Sequence, residues 1–392
     1  MSPRRLRIAL VTDGLEERDV DGRPEIRNGG VGVYIYNLVK HLLDLADGHE
    51  ISLLRFGAGR LDVYRDPRVT AVAIPRHGLD RYTRWLDLPH ASLARRHGYD
   101  LIHYPNQFGG ALLPRRVRRV VTLHDLTPLL YPRYHPWQTV LGYRLLLRPA
   151  LRRADRVLVD SAATRAEVVD AGLAPADRVT AIALGVGDGF RPGVRSDDFA
   201  RRYDLPERFV LTVGVFEPRK NHALLVDALA ALHARGEPVG LVIAGREGWG
   251  WQNPLDDPSR AHLRPWVRVL RNVPDADLPE LYGRAAAFAY ASLHEGFGLP
   301  LLEAMACGTP VVTSRSSSLP EVAGDAALLA DPHDAASFAD ALRTILRDPA
   351  LAARLVAAGA ERARALSWRR TAERTLEVYE SVCRGEAGSP ES

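Results

Sequence analysis

Two cysteines in 392 residues, Cys307 and Cys383, cannot build a disulfide framework, and their scarcity fits a reducing cytoplasm. No apolar run reaches roughly eighteen residues, so no segment reads as a membrane-spanning helix. The opening stretch MSPRRLRIALVTDG has only a few apolar residues before acids begin. That reads as a first buried strand and not as a secretory leader. Lysine is nearly missing: 50 of the 52 basic residues are arginine, leaving only Lys40 and Lys220. In such a background a site that needs only positive charge is arginine, so a retained lysine points to a use for the compact ammonium. There is no Walker-type glycine–lysine loop and no H-E-x-x-H, although His294-Glu295 begins like one. The basic clusters lack interleaved aromatics and no nucleic-acid motif occurs, so DNA and RNA are not expected partners.

What is present fits a globular chain of two ordinary domains, with 46% apolar and 26% charged residues over a length that exceeds one core. The net charge of +4 is unevenly spread. Residues 1–190 carry 28 basic and 21 acidic side chains, a balance of +7, and the remainder carries 24 and 27, a balance of −3. Clusters such as Arg115, Arg116, Arg118 and Arg119 lie in the first half. They form either a solvated, arginine-biased surface or one that attracts an anionic partner.

Short apolar runs alternate with helix-length amphipathic segments. Strands are predicted at Arg7–Val11, 51–54, Val69–Ile74, 101–103, 120–123 and Arg156–Val159. A polar loop ends at Asn28-Gly29-Gly30 and leads into a helix over 31–45, with Val31, Ile35, Leu38, Val39 and Leu42 at helical spacing. The glycine-rich stretch 183–192 reads as a linker, after which the pattern restarts. Strands follow at Phe209–Val213, 239–244, 267–270, 286–289 and 310–313, with helices at His222–Ala234 and 301–306. The expected architecture is α/β: a domain over 1–185, a second over 193–367, and a closing helix over 368–384 that returns to the first. Residues from Gly385 onward read as a frayed tail.

The densest chemical signal is HEGFGLPLLEAMACGTP at 294–310, directly after a predicted strand. Gly296 and Gly298 permit a tight loop where backbone N–H groups approach a ligand closely. Pro300 suits a first helical turn, and the helix N-terminus behind the loop offers donors and a positive dipole end to phosphate or sugar oxygens. Glu295 stands just before this helix and Glu303 is expected in its first turn, with seven residues between them. Both carboxylates then lie at the end of the sheet where open α/β folds bind ligands. At the end of the second domain's first strand, Gly214 precedes Arg219 and Lys220, which read either as a polar strand-end turn or as cations that neutralise an anionic group.

These motifs resemble glycosyltransferase family 4, the retaining enzymes of GT-B fold, whose E-x7-E pair matches Glu295 and Glu303. The stretches EGFGLPLLEAMACGTPVVTS, SSLPEVAGDAALL, GGVGVYIYNLVKHL, VVTLHDLTPLLYP and VGVFEPRKN carry the resemblance, which runs over residues 5–385 and looks most like bacterial group 1 mannosyltransferases. It implies two Rossmann-like domains with the active site in the cleft between them, the second holding a nucleoside diphosphate sugar and the first the acceptor. It implies that Glu295 contacts the donor-sugar hydroxyls, Glu303 the ribose, and Lys220 with Arg219 the diphosphate. Gly214, Gly296, Phe297, Gly298 and Leu299 line the same donor site. His124, which closes a strand, reads as a structural histidine or, by the resemblance, as a third catalytic residue beside Glu295 and Lys220 that donates to the donor sugar. Gly30 belongs either to a simple helix-leading loop or to a glycine loop that approaches the donor phosphates. A nicotinamide fingerprint does not fit there, because its third glycine is missing. The chain departs from many family members at Val215, where they carry a basic residue; Arg219 is the candidate to replace it.

The resemblance further implies no obligatory metal and no cofactor beyond the nucleotide-sugar co-substrate, with GDP-mannose the first choice. The acceptor is expected to be a sugar or lipid-linked hydroxyl in cell-surface polysaccharide or glycolipid synthesis. The protein is expected in the cytoplasm, with peripheral membrane contact through its basic first domain. Two D-x-D matches, Asp19–Asp21 and Asp275–Asp277, read as structural, the latter as part of a capping box from Asp277 to Glu280. The rival readings are a non-catalytic nucleotide-sugar-binding subunit, a GT-B epimerase and a GT-B phosphorylase. The last needs a pyridoxal-phosphate lysine, for which only Lys40 and Lys220 are candidates.

Overall fold

A computed structural model describes residues 5–13, 15, 17–20, 23–26, 29–46, 48–57, 59–74, 88–110, 112–193, 195–196 and 198–386. The chain forms two compact units. The first comprises Met1–Leu130, Trp137–Leu184 and Trp368–Ser392, and the second Tyr131–Pro136 and Gly185–Ser367.

In the first unit the strands are β1 (Arg7–Val11), β2 (Glu17–Val20), β3 (Arg23–Ile26), β4 (Glu50–Phe56), β5 (Val69–Ile74), β6 (Leu101–Tyr104), β7 (Arg118–Leu123), β8 (Arg156–Val159) and β9 (Val179–Ala181). Seven of them make a parallel sheet in the order β5-β4-β1-β6-β7-β8-β9. Mainly apolar runs such as LIHY in β6 and RVLV in β8 are buried at every position, His103 and Arg156 included, as strands covered on both faces require. The polar loop after β1 contains an antiparallel hairpin of β2 and β3, which the sequence pattern does not suggest because ERDV and RPEI lack apolar alternation. Asp19 lies in that hairpin, while Asn28 and Asp21 lie outside the described residues, as does the tail from residue 387.

The helix Trp368–Arg384 belongs to the first unit and buries Trp368, Thr371, Ala372, Thr375, Tyr379 and Val382, a stripe at helical spacing. A buried hydrogen-bond chain fixes it to the sheet. His103 on β6 contacts the Tyr379 hydroxyl at 2.5 Å and Thr122 Oγ1 at 2.8 Å, and Thr122 meets the Tyr34 hydroxyl at 3.0 Å. Burial and the neighbouring His124 hold His103 down to about 3, so it works there as a neutral ring.

The second unit has β10 (Phe209–Val213), β11 (Gly240–Gly245), β12 (Val267–Arg271), β13 (Ala287–Tyr290), β14 (Val311–Ser314) and β15 (Ala327–Ala330), all parallel, in the order β12-β11-β10-β13-β14-β15. Its core joins Leu225, Leu229, Leu241, Ile243, Val312, Phe338 and Leu342. Helices Ala335–Arg347 and Pro349–Ala365 are each started by an aspartate: Asp334 accepts from Ala336 N–H, and Asp348 from Leu351 N–H. In both sheets the chain runs outward to one edge and then resumes beside its first strand, so the strand order reverses between β1 and β6 and again between β10 and β13. Ligands of open α/β sheets bind at the carboxyl ends of the strands flanking such a reversal.

Candidate active site

The reversal between β10 and β13 holds a buried charge cluster. Lys220 follows β10 in the short turn Pro218–Lys220, and Glu295 follows β13. The Lys220 ammonium donates to Glu295 Oε1 at 2.6 Å and to the Tyr290 hydroxyl at 2.8 Å, while Tyr290 donates to the same Oε1 at 3.0 Å and Ser292 at 2.5 Å. Arg219 pairs with Glu295 Oε2 at 3.0 Å, donates to the His294 carbonyl and pairs with Glu217. Glu217, Arg219, Lys220 and Glu295 are all less than a tenth exposed. Burial alone would raise Glu295, but Arg219 and Lys220 overcome it and hold the carboxyl well below the usual carboxylate range. Burial works against charge on Lys220 as well, and Glu295 more than reverses it. The cluster is thus two carboxylates locked on two cations, with no net charge.

Glycine and serine place these groups. The Lys220 stem runs past Gly214, where an added Cβ would stand 3.4 Å from Lys220 Cε. Gly298 takes φ +116°, a left-handed value, and a Cβ there would meet Leu319 Cδ2 at 2.8 Å. It caps the helix Leu299–Ala306, whose N-terminus therefore begins one residue before Pro300. That displaces Glu303 from the expected first turn into the second, a correction of register by one position. The loop is held from the far side by residues 316–318, which motif reading quotes but does not place. Ser317 Oγ accepts from Glu295 N–H at 2.8 Å, and Ser318 Oγ contacts the carbonyls of Glu295 at 2.9 Å and Phe297 at 2.8 Å. Gly296 is buried in that loop, and the Phe297 ring is buried too, so only its backbone can face a ligand; Leu299 is half-buried.

Glu303 sits in a different environment. It is half-buried and accepts a 2.7 Å hydrogen bond from the Tyr282 hydroxyl. Its largest perturbation is desolvation, with a further push from Asp275, and the carboxyl rises to about 7. The predicted capping box from Asp277 to Glu280 does not form. Asp277 already has near-helical angles, φ −91° and ψ −17°, because the turn Asp275–Asp277 runs straight into the helix. Its carboxylate accepts from Tyr203 at 2.5 Å, and Glu280 accepts from Ser196 N–H at 2.8 Å and pairs with Arg284.

In the first unit, His124 lies beyond the end of β7. Its Nδ1 is 2.7 Å from Asp160 Oδ2, and its Nε2 is 3.1 Å from the Pro105 carbonyl oxygen. A carbonyl only accepts, so Nε2 carries a proton, and the short Nδ1–Oδ2 contact needs a second proton on the pair. Burial opposes charge on His124, and Asp160 more than offsets that, raising the imidazole above its ordinary value. The expected donation from His124 to a sugar therefore requires Nε2 to leave Pro105. Gly30 opens the helix Gly30–Leu45; it is exposed and nothing lies within 4 Å of where its Cβ would stand.

Two Rossmann-like units, the second with paired cations and carboxylates at its strand-order reversal, define the GT-B class of transferase. Known proteins place the chain within that class. The profile of glycosyl transferases group 1 matches residues 195–362, and that of glycosyltransferase family 4 matches residues 28–188. The O-antigen chain mannosyltransferase B of Escherichia coli is 32% identical over 370 residues, covering 89% of this chain and 95% of that protein. The serotype-specific mannosyltransferase WbdA of Escherichia coli is 30% identical over 298 residues, covering 70% of this chain, which spans about a third of WbdA's length (35%). Among solved structures, Anabaena HepE in complex with UDP and glucose superposes with a TM-score of 0.72 at 21% identity, covering 96% of this chain and all of that one (100%). The chain belongs to the group 1, family 4 glycosyltransferases, and it is a glycosyltransferase.

Proposed function

We propose that this glycosyltransferase moves a hexosyl group, mannose in the first instance, from a nucleoside diphosphate sugar to a hydroxyl acceptor with the anomeric configuration retained. The observation that carries the reading is the Lys220–Glu295 contact at 2.6 Å on the strand-order reversal. An ammonium has three donors, and Lys220 spends two of them on Glu295 and Tyr290, which leaves one for a diphosphate oxygen. Oε1 of Glu295 accepts three hydrogen bonds, while Oε2 pairs with Arg219 and is the atom left to accept from a sugar hydroxyl in this scheme. Glu303 accepts from the ribose when ionised.

In the reaction the bond from the anomeric carbon to the diphosphate oxygen breaks and the acceptor oxygen bonds to that carbon from the same face. The departing diphosphate takes the acceptor proton. Lys220, Arg219 and the N-terminus of the helix Leu299–Ala306 meet the growing negative charge, so the protein's own groups act as the electrophiles and no metal ion or cofactor enters the scheme. The names of the mannosyltransferase relatives support mannose, and the UDP and glucose named in the HepE complex support a donor made of a nucleoside diphosphate and a hexose. The acceptor is a sugar or lipid-linked hydroxyl of cell-surface polysaccharide or glycolipid, reached at the inner face of the membrane. The test is transfer from a panel of GDP- and UDP-sugars to a mannoside acceptor, with the product's anomeric coupling read by NMR. An α-linked product from GDP-mannose is expected; an inverted product, or donor binding with neither transfer nor hydrolysis, overturns the reading.

A further inference from the structure

We infer that the outer face of the helix over 137–153 is a surface for docking on an anionic lipid bilayer. The helix belongs to the first unit and runs continuously through Trp137–Gly142, the wider π turn Tyr143–Leu147 and Arg148–Arg153. Its inner face is complete. Tyr143, Leu147 and Leu151 enter the unit's core, and Val140 is buried beside them. A helix that has satisfied its core normally shows polar residues outward. This one shows a second apolar face: Trp137 is 70% exposed, Leu145 61%, Leu141 45% and Leu146 40%. Of the nine large apolar side chains exposed among the described residues, these four lie on this one helix, so the surplus is local.

The charge beside that face selects the occupant. From 137 to 154 the chain carries Arg144, Arg148, Arg152 and Arg153 and no acidic residue. All four arginines are exposed, and among the described residues none has a carboxylate partner; Arg148 and Arg153 touch only backbone carbonyls. An exposed Trp/Leu face flanked by unpaired arginines is the composition of a helix that lies in the headgroup layer of an anionic membrane. A second copy of the chain fits poorly. A two-fold contact would bring arginine against arginine, and four apolar side chains fall short of a stable interface of about 1,600 Å².

This deepens the lipid-side part of the proposed function, and its test is independent of transfer. The full chain is sedimented with vesicles of phosphatidylcholine alone and of phosphatidylcholine mixed with phosphatidylglycerol, at low and high ionic strength. Wild type is expected to bind the mixed vesicles and to be released by salt. The variant Trp137→Ser/Leu141→Ser/Leu145→Ser should lose about tenfold or more of that binding. Each of Arg144→Gln, Arg148→Gln and Arg152→Gln should lose about fivefold, the equivalent of about 1 kcal/mol per headgroup contact. Because all these side chains are exposed, thermal melts and transfer to a soluble acceptor should stay at the wild-type level. Absence of binding to the mixed vesicles at low salt overturns the proposal. So does binding that the variants leave intact, or a concentration-dependent dimer that disappears in the Leu141→Ser variant.

Discussion

Glu295 and Glu303 come from one motif, eight positions apart, yet they occupy opposite electrostatic worlds. Glu295 is clamped by Arg219, Lys220, Tyr290 and Ser292 and stays ionised far into the acid range. Glu303 has one tyrosine hydroxyl and, among the described residues, no paired cation, and desolvation lifts it to about 7. The difference teaches that spacing along a motif does not set chemistry. What sets it is the neighbours each carboxyl reaches, two cations beyond a strand end for Glu295 and a tyrosine on an adjacent helix for Glu303, and environments that drive two carboxyls apart can assign them different tasks. Glu295 holds Lys220 and Arg219 in place, the role proposed for the reacting end of a donor; Glu303, with only the Tyr282 hydroxyl bonded to it, is the carboxyl proposed to meet the ribose.

The same isosteric change should therefore act on different properties at the two sites. Glu295→Gln strips Lys220 of its carboxylate inside the protein. The loss of one partner of a buried pair costs about 3–5 kcal/mol, a fall of roughly 6–20 °C in melting temperature for a unit of this size. Glu303→Gln should leave the melt within about 1 kcal/mol of wild type, since no cation depends on it. The pH trends also oppose one another. A carboxyl held low in the folded state contributes stability above its unfolded value that is lost only as pH falls into the strongly acid range, which is the Glu295 case. A carboxyl raised to about 7 contributes stability that is present below the unfolded value and lost as pH rises through 7, which is the Glu303 case. Melts from pH 5 to 8 should slope downward less in Glu303→Gln than in wild type.

Turnover sharpens the contrast. Lys220→Ala should cut transfer by about 10²–10³-fold, as for other lost stabilisers of a developing anion. Lys220→Arg should recover only part of this, because the pocket between Gly214 and Tyr290 suits a compact ammonium. Full activity in Lys220→Arg would show that charge alone suffices. Next in size, Glu303→Gln should weaken nucleoside diphosphate binding by about 1–3 kcal/mol, read by calorimetry. At the small end, Lys40→Arg on the helix Gly30–Leu45 should change neither melt nor turnover.

Much of the scaffold is legible in the sequence. Arg7–Val11, Arg156–Val159 and Phe209–Val213 are strands at the predicted bounds because buried parallel strands are written as short, mainly apolar runs; Val69–Ile74 also keeps its predicted bounds, although as an edge strand it is largely exposed. The strand Val179–Ala181 and the β2–β3 hairpin escape such reading: one has three residues, the other no apolar periodicity. At the site, the candidates Glu295, Lys220 and Arg219 are visible as residue types after strands, but their mutual contact is not. It joins positions 75 apart and depends on β13 entering the sheet beside β10, a matter of strand order. The anchoring role of residues 316–318 is hidden for the same reason. So is the capture of both His124 nitrogens by Asp160 and Pro105, partners from two other strand ends.

The division of labour between the two glutamates is tested most directly by the pH dependence of GDP binding, measured calorimetrically in wild type and Glu303→Gln. Ribose hydroxyls donate to an ionised carboxylate, so wild-type affinity should rise between pH 6 and 8 as Glu303 loses its proton near 7. The variant should bind more weakly at pH 8 and show only the shallower trend of the phosphate itself. Identical affinities and identical pH trends in the two proteins would contradict the assignment of Glu303 to the nucleotide.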